Sequence, residues 1–230
     1  MCLDCDCGQP THQPRRRVVL ERNLLVRNDT VAATNRSRFT AAGVRAINLL
    51  SSPGSGKTAL LERLGQDAAL GARMAVVVGD LATENDARRL QAAGVRAVSI
   101  TTGQTCHLEA SMVEAAVAEL DLAELDLLVI ENVGNLVCPA SYDLGESLRV
   151  VMLSVTEGED KPLKYPATFH SADLVVISKL DLAEVCGFDR AHAHRHIHQV
   201  APTARIIEVS ARSGEGMEAL HAALEEPAPI

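Results

Sequence analysis

The stretch Ile47–Leu64, INLLSSPGSGKTALLERL, decides the fold. It begins as an apolar run, breaks into Ser51-Ser52-Pro53-Gly54-Ser55-Gly56, and resumes after Lys57 with Leu60, Leu61 and Leu64 at helical spacing. A strand that turns into a helix through a Gly-rich loop lets successive backbone N–H groups curl round a phosphate, and the helix N-terminus adds its dipole. Ser52, Pro53, Gly54, Ser55, Gly56, Lys57, Thr58 and Ala59 are therefore the predicted phosphate-loop contacts. Lys57 is expected to reach the β and γ phosphates, and the Thr58 hydroxyl to bind Mg²⁺. Ser51 stands where the generic loop has its first Gly, while Gly54 and Gly56 keep the turn.

Around this loop, apolar runs recur at Ala46–Leu50, Met74–Val78, Val95–Ile100, Leu125–Ile130, Val150–Val155, Leu174–Ile177 and Arg205–Val209. Helical patterns fall between most of them, at Lys57–Leu70, Glu84–Ala93, Leu108–Leu120, Asp189–Val200 and Gly216–Leu224. Alternation of this kind predicts an α/β P-loop NTPase fold, a mostly parallel, doubly wound sheet of about seven strands flanked by helices. Residues 1–14 read as a flexible Cys-rich tail, and residues 15–230 as the nucleotide-binding domain, opened by a lead-in helix at about 18–42 that ends at Gly43.

Composition agrees with one such domain. In 230 residues, 47% are apolar, Trp is absent, and Phe and Tyr number three and two, so Val, Leu, Ile and Ala must build the core. A net charge of −8 gives no global reason to bind nucleic acid, which is held chiefly by phosphate neutralisation. No stretch reaches the roughly 20 uninterrupted apolar residues of a membrane span. The polar, Cys-rich N-terminus does not resemble a signal sequence, so a cytoplasmic location is expected. Cys5 and Cys7 are too close to bridge comfortably, and in a reducing compartment such thiols are better read as metal ligands.

A phosphate loop needs acidic partners for Mg²⁺ at the ends of neighbouring strands. Asp80 follows MAVVVG, and Glu131 follows LDLLVI in ENVGN, where Gly134 completes an acidic-x-x-Gly switch pattern. With Lys57 and Thr58 these form the predicted catalytic and Mg²⁺ set; Glu131, one methylene longer than Asp, is expected to act through water. For the base, Ser178-Lys179-Leu180-Asp181 follows a buried strand as the usual Asn-Lys-x-Asp guanine motif would, the Asp181 carboxylate accepting the N1 and N2 hydrogens of guanine. Ser210-Ala211-Arg212 is similar to the Ser-Ala-Lys turn whose backbone contacts the guanine carbonyl. Together they favour GTP over ATP.

Cys106 and His107 lie at one strand exit and Cys138 follows the next strand, close to the predicted switch. Thiolate and imidazole suit Zn²⁺ or Ni²⁺ far better than Mg²⁺, and three protein ligands leave a position open. Cys2, Cys5 and Cys7 offer a second thiolate set. His192, His194, His196 and His198 split on a helix into two i, i+4 pairs on different faces, each a weak chelate, and are read as a solvated helix surface. His170 and Cys186 are read as packing residues.

Taken together, MCLDCDCG, NLLSSPGSGKT, GDLATENDA, CHLEA, ENVGNLVCPASYDLGE, VTEGEDKPLKYP and SKLDL resemble the hydrogenase nickel-incorporation GTPases, the HypB family, over nearly the whole chain. The resemblance implies a metallochaperone that binds GTP/GDP, forms a GTP-dependent homodimer, and hydrolyses GTP while helping to insert nickel into the [NiFe]-hydrogenase large subunit. It also implies a nickel or zinc site at Cys106, His107 and Cys138, and a nickel site at Cys2, Cys5 and Cys7. Implied partners are a zinc- or nickel-handling accessory protein and the hydrogenase large-subunit precursor. Lys161 and Lys164 are candidates for contacting the partner's nucleotide. Ser178 replaces the usual Asn, and no His-rich stretch follows the N-terminal cysteines. Alternatives are a urease-type nickel-insertion GTPase, a metal-buffering scaffold with little turnover, and a P-loop small-molecule kinase.

Overall fold

The computed structural model describes residues 14–67, 71, 73–103 and 105–226, with side chains from residue 24 onward. Helix α1 (Pro14–Ala42) leads into strand β1 (Arg45–Ser51) and helix α2 (Lys57–Gly65). Then come β2 (Met74–Asp80), α3 (Asn85–Ala92), β3 (Arg96–Thr101), α4 (Ala110–Val117) and β4 (Leu127–Glu131). The chain continues through β5 (Leu148–Ser154), two short helices α5 (Lys161–Lys164) and α6 (Pro166–His170), β6 (Leu174–Ser178), α7 (Arg190–Val200), β7 (Arg205–Glu208) and α8 (Met217–Glu225).

The seven strands form one sheet in the order β3-β2-β4-β1-β5-β6-β7, every pairing parallel. Because both faces of a parallel sheet are covered, the strands read as near-continuous apolar runs. Ile47, Leu49, Val76, Val129, Val150 and Val176 pack on one side with Leu60, Leu61 and Leu64 of α2 and Leu220 of α8. Ala75, Val77, Leu128 and Ile130 pack on the other with Phe39 of α1 and Val113 of α4, while Val151, Val175 and Ile177 meet Phe169 and Ile197.

The register places the functional end of the sheet. Leu49 of β1 and Val78 of β2 both stand opposite Glu131, the last residue of β4, while β1 and β2 run on to Ser51 and Asp80. Loops leaving β1, β2 and β4 therefore emerge side by side, where ligands bind in open α/β sheets. Helix α1 closes this end through buried amides. Asn28 Nδ2 donates to Asp143 O (2.7 Å), and Asn28 Oδ1 accepts from Ala110 N (2.9 Å). Asn35 Nδ2, on a residue 2% exposed, donates to Ala110 O (2.9 Å) and Leu144 O (3.2 Å). Gly43, with φ 72°, ends the helix, and Val44 N returns to Phe39 O (2.9 Å).

No helix among the described residues is long and apolar enough to cross a membrane. The expectation that His170 and Cys186 pack inside is corrected: both are exposed, and the His170 ring bonds Val200 O from the surface (3.1 Å). The neighbouring apolar positions Phe169 and Phe188 take the buried places instead.

Replacing Asn35 by Ala removes one donor shared by two buried carbonyls, and an unsatisfied buried acceptor costs about 1–3 kcal/mol. We expect a loss of that size in denaturant unfolding and faster proteolysis within α1; an unchanged midpoint overturns this account of how α1 is held.

Candidate nucleotide and metal site

The loop after β1 is shaped by left-handed glycines. Gly54 and Gly56 have φ of 73° and 97°, which a side chain would strain, and Gly56 sits directly before Lys57 at the start of α2. Ser51, at the position of the generic first Gly, is fully buried and organises the loop. Its Oγ donates to Ser52 O (2.8 Å) and receives Ser55 Oγ (2.5 Å) and Lys57 Nζ (2.9 Å). Burial pushes the Lys57 ammonium below its ordinary pKa, against the opposing pull of Glu131.

Glu131 is the counterpart. Only 3% exposed, it accepts from Thr58 Oγ1 through Oε1 (3.1 Å), while Oε2 is buried with no partner among the described residues. Desolvation lifts its pKa to about 7, although Lys57 and the Thr58 hydroxyl pull the other way. A buried carboxylate oxygen without a donor, beside a hydroxyl, an ammonium and the phosphate loop, fits a divalent cation with oxygen ligands. Asp80 rims the same cavity, its carboxylate held by Leu81 N (2.6 Å) and Thr83 Oγ1 (2.5 Å). The cavity measures about 340 Å³. Sequence reasoning missed Asp86 and Arg89 on its wall; both lie on α3, whose helical pattern gave no hint of which face meets the loop. Gly134 packs tightly on the loop: a Cβ there would stand 3.0 Å from Pro53 Cα, a contact that the neighbour must yield to accommodate.

A second cavity of about 240 Å³ adjoins the first, lined among others by Gly56, Ser178, Lys179, Asp181, Ala211 and Arg212. Lys179 adopts φ 60°, an uncommon left-handed conformation for a side-chain-bearing residue, and its Nζ donates to Gly54 O (2.6 Å). Ser178 Oγ donates to Ser55 O (2.8 Å), so the shorter residue still braces the phosphate loop. Ser210 Oγ donates to Asp181 Oδ1 (2.6 Å) and accepts from Ser213 N (3.1 Å), aligning the carboxylate.

Cys106, His107 and Cys138 converge, with ligand atoms all within 4.8 Å of one another. The neighbouring Cys138 thiol, together with burial, raises the Cys106 pKa. The His107 ring stacks on Tyr142 at 3.9 Å between centroids, its pKa lowered by burial, and neither ring nitrogen has a hydrogen-bond partner among the described residues. Two thiols facing an imidazole with unsatisfied nitrogens suit a thiophilic cation such as Ni²⁺ or Zn²⁺. Tyr142 was not anticipated, since nothing in the sequence distinguishes an aromatic that packs on a ligand from one that packs on the core.

Asn132 and Asn135 were also missed, and they join the two sites. Asn132 Oδ1 accepts from Leu108 N (3.3 Å) and Val133 N (3.0 Å), and its Nδ2 donates to Asn48 Oδ1 (3.2 Å). Asn48 Nδ2 donates to Glu146 Oε1 (3.2 Å), which also receives Arg149 Nη2 (2.5 Å). Arg149 in turn donates to Ala140 O and Tyr142 O, beyond Cys138. Asn135 Nδ2 donates to Cys106 O (3.2 Å), and its Oδ1 accepts from Val137 N (2.9 Å). Cys2, Cys5 and Cys7 lie outside the described residues.

Comparison with known proteins converges on one group. Residues 45–208 match the CobW/HypB/UreG, nucleotide-binding domain family. The hydrogenase maturation factor HypB of Rhizobium leguminosarum bv. viciae is 48% identical over 216 residues, covering 94% of this chain and 72% of that protein. The HypB of Helicobacter pylori, solved in complex with nickel, superposes with a TM-score of 0.83 at 45% identity, over 86% of this chain and 93% of that one. The HypB of Archaeoglobus fulgidus superposes at 0.79 with 39% identity, over 87% of this chain and 100% of that one.

The close approach of Gly134 to Pro53 yields a test. Gly134→Ala overpacks the junction by a few tenths of an ångström, a strain of about 1–3 kcal/mol. Because it falls on the phosphate loop, we expect nucleotide affinity to drop about 5- to 100-fold in a fluorescent-nucleotide titration, with the melting temperature of the free protein lowered by several degrees. Unchanged affinity overturns the assigned contact.

Proposed function

The chain belongs to the HypB proteins of hydrogenase maturation, within the CobW/HypB/UreG family, and from that premise we propose that it is a GTP-hydrolysing nickel metallochaperone. It assists nickel insertion into the [NiFe]-hydrogenase large subunit. The observation that carries the reading is the single connection after β4, which bears Glu131 at one end and Cys138 seven residues later. Glu131 addresses the phosphate side of the molecule and Cys138 the thiolate side. A change at one end is felt at the other through Asn132 and Asn135.

GTP enters with its triphosphate in the loop Ser52–Ala59 and its base against Ser178, Lys179, Asp181, Ser210 and Ala211. Lys57 exchanges its hydrogen bond to Ser51 Oγ for β and γ phosphate oxygens, regaining a full charge partner. Thr58, Glu131 and Asp80 would hold Mg²⁺, which would supply charge neutralisation on the β and γ phosphates. The Asp181 carboxylate accepts from guanine N1 and N2, which adenine cannot match. The Lys179 stem lies beside the base while its head secures the phosphate loop at Gly54. Hydrolysis to GDP and phosphate is slow in the isolated chain, because catalysis of this type relies on positioning and electrostatics that a partner completes.

Nickel is the cargo, and zinc competes for the same donors. Cys106, His107 and Cys138 take it in the GTPase domain; Cys2, Cys5 and Cys7 form a further nickel site. GTP favours a homodimer in which the two Cys106, His107 and Cys138 sets face each other. The exposed Val137, 63% accessible beside Cys138, is the apolar surface such a contact would cover. Lys161 and Lys164 approach the partner's nucleotide, the chain acts in the cytoplasm, and a zinc- or nickel-handling accessory protein and the hydrogenase precursor complete the delivery route.

Two experiments test this. Nickel affinity, measured with GDP and then with a non-hydrolysable GTP analogue, is expected to differ between the two forms, and Cys106→Ala to abolish the difference; equal affinities sink the coupling. Asp181→Asn presents an amide donor in place of the carboxylate, so GTP affinity is expected to fall at least about a hundredfold while xanthosine triphosphate gains. Retained preference for GTP removes Asp181 from the base site.

A further inference from the structure

The histidines of α7, read above as a solvated surface, have an ordered arrangement. His192 Nδ1 lies 2.8 Å from Asp189 Oδ2, and His196 Nδ1 lies 2.8 Å from the Glu159 carbonyl. A carbonyl oxygen only accepts, so His196 carries its proton on Nδ1, and the carboxylate imposes the same state on His192. In both rings the lone pair then stands on Nε2, and neither Nε2 has a hydrogen bond among the described residues. Carboxylate or carbonyl on one ring nitrogen and an open lone pair on the other is the orientation that second-shell groups impose on metal-ligating histidines.

Spacing and position agree. His192 and His196 are one helical turn apart, and their rings lie nearly parallel, 20° between planes, with centroids 6.1 Å apart. A cation holding two imidazoles at bonds of about 2.1 Å needs the nitrogens roughly 3 Å apart, so the near-parallel rings must turn toward each other to chelate, as neighbours at i, i+4 can. Asp189 is fixed by Glu159 Oε1, which accepts its backbone N–H (2.6 Å), and its own Oδ1 accepts from His192 N (2.9 Å). The supporting groups are thus held from both α7 and the loop before α5. The other pair is also anchored, His194 Nε2 by Glu208 Oε1 (2.9 Å) and His198 Nδ1 by the His194 carbonyl (2.9 Å), but its open nitrogens are unlike, Nδ1 of His194 against Nε2 of His198, whereas His192 and His196 both present Nε2.

We propose that His192 and His196 form an additional, peripheral site for a divalent first-row transition cation such as Ni²⁺ or Zn²⁺, oriented by Asp189 and the Glu159 carbonyl and completed by water. The site is separate from Cys106, His107 and Cys138, and does not depend on the reading of those residues. With two protein ligands it is an open, readily exchanging station on the surface, suited to collecting the cation and releasing it.

The test is equilibrium dialysis of the full chain against nickel chloride, with paramagnetic broadening of the histidine ring proton signals recorded on the same samples. His192→Ala changes an exposed position and leaves the fold intact. It is expected to remove one bound equivalent and to abolish the selective broadening of His196. Asp189→Asn keeps an N-cap acceptor but weakens the hold on the His192 proton, lowering the affinity of that equivalent about tenfold or more. His194→Ala with His198→Ala is expected to leave it unchanged. Full stoichiometry in His192→Ala, or an equal loss in the His194/His198 variant, overturns the proposal.

Discussion

An acid buried at the end of β4 is the constraint from which the rest of the site follows. Glu131 carries an oxygen with no partner into a position only 3% exposed, at a cost that an apolar residue would not incur. Such a group is tolerated where positive charge compensates it, and the sheet brings that charge: β1 leads into the loop that puts Lys57 and Thr58 against the carboxylate. The pairing is reciprocal. Lys57 is itself buried and depressed in pKa, so each group makes the other's burial less unfavourable, and both are poised to gain further when phosphate and a cation enter.

The same register argument explains why the candidate metal ligands collect beside the candidate nucleotide site. Cys106 and His107 leave the sheet after β3, and Cys138 after β4, with β2 lying between those strands in the sheet order. Strand order alone would leave the loops to find their own geometry. Buried amides remove that freedom: Asn132 ties Leu108 to the end of β4, and Asn135 ties the Cys106 carbonyl to the segment carrying Cys138. Because a buried amide left unpaired is costly, this network favours discrete arrangements over gradual drift.

Much of this was legible in the sequence. The strand-loop-helix pattern at Ile47–Leu64, the seven apolar runs and the CH…C spacing each rest on local chemistry, which sequence displays directly. What stayed hidden depends on facing and packing. Asp86 and Arg89 reach the phosphate cavity because of how α3 is rotated; Tyr142 meets His107 because Arg149 and Glu146 hold its loop. Ser178 looked like a weakened Asn, yet its hydroxyl makes the bracing bond to Ser55 O, a distance that only the fold reveals. The α7 histidines looked like solvated surface because spacing shows which residues align, not which ring nitrogen holds the proton.

Thermodynamic reciprocity sets how much work the connection after β4 can do. If GTP and GDP forms differ tenfold in nickel affinity, the coupling is about 1.4 kcal/mol, and nickel must alter the GTP-to-GDP preference by the same factor. One or two buried hydrogen bonds, at about 0.5–1.5 kcal/mol each, suffice to carry that amount. Asn132 and Asn135 are therefore adequate in strength as well as in position, and no rearrangement of the sheet is required. Coupling of this size lets nucleotide state bias cargo release without trapping the metal, because the site whose affinity is lowered can still be refilled from solution or from a neighbouring donor.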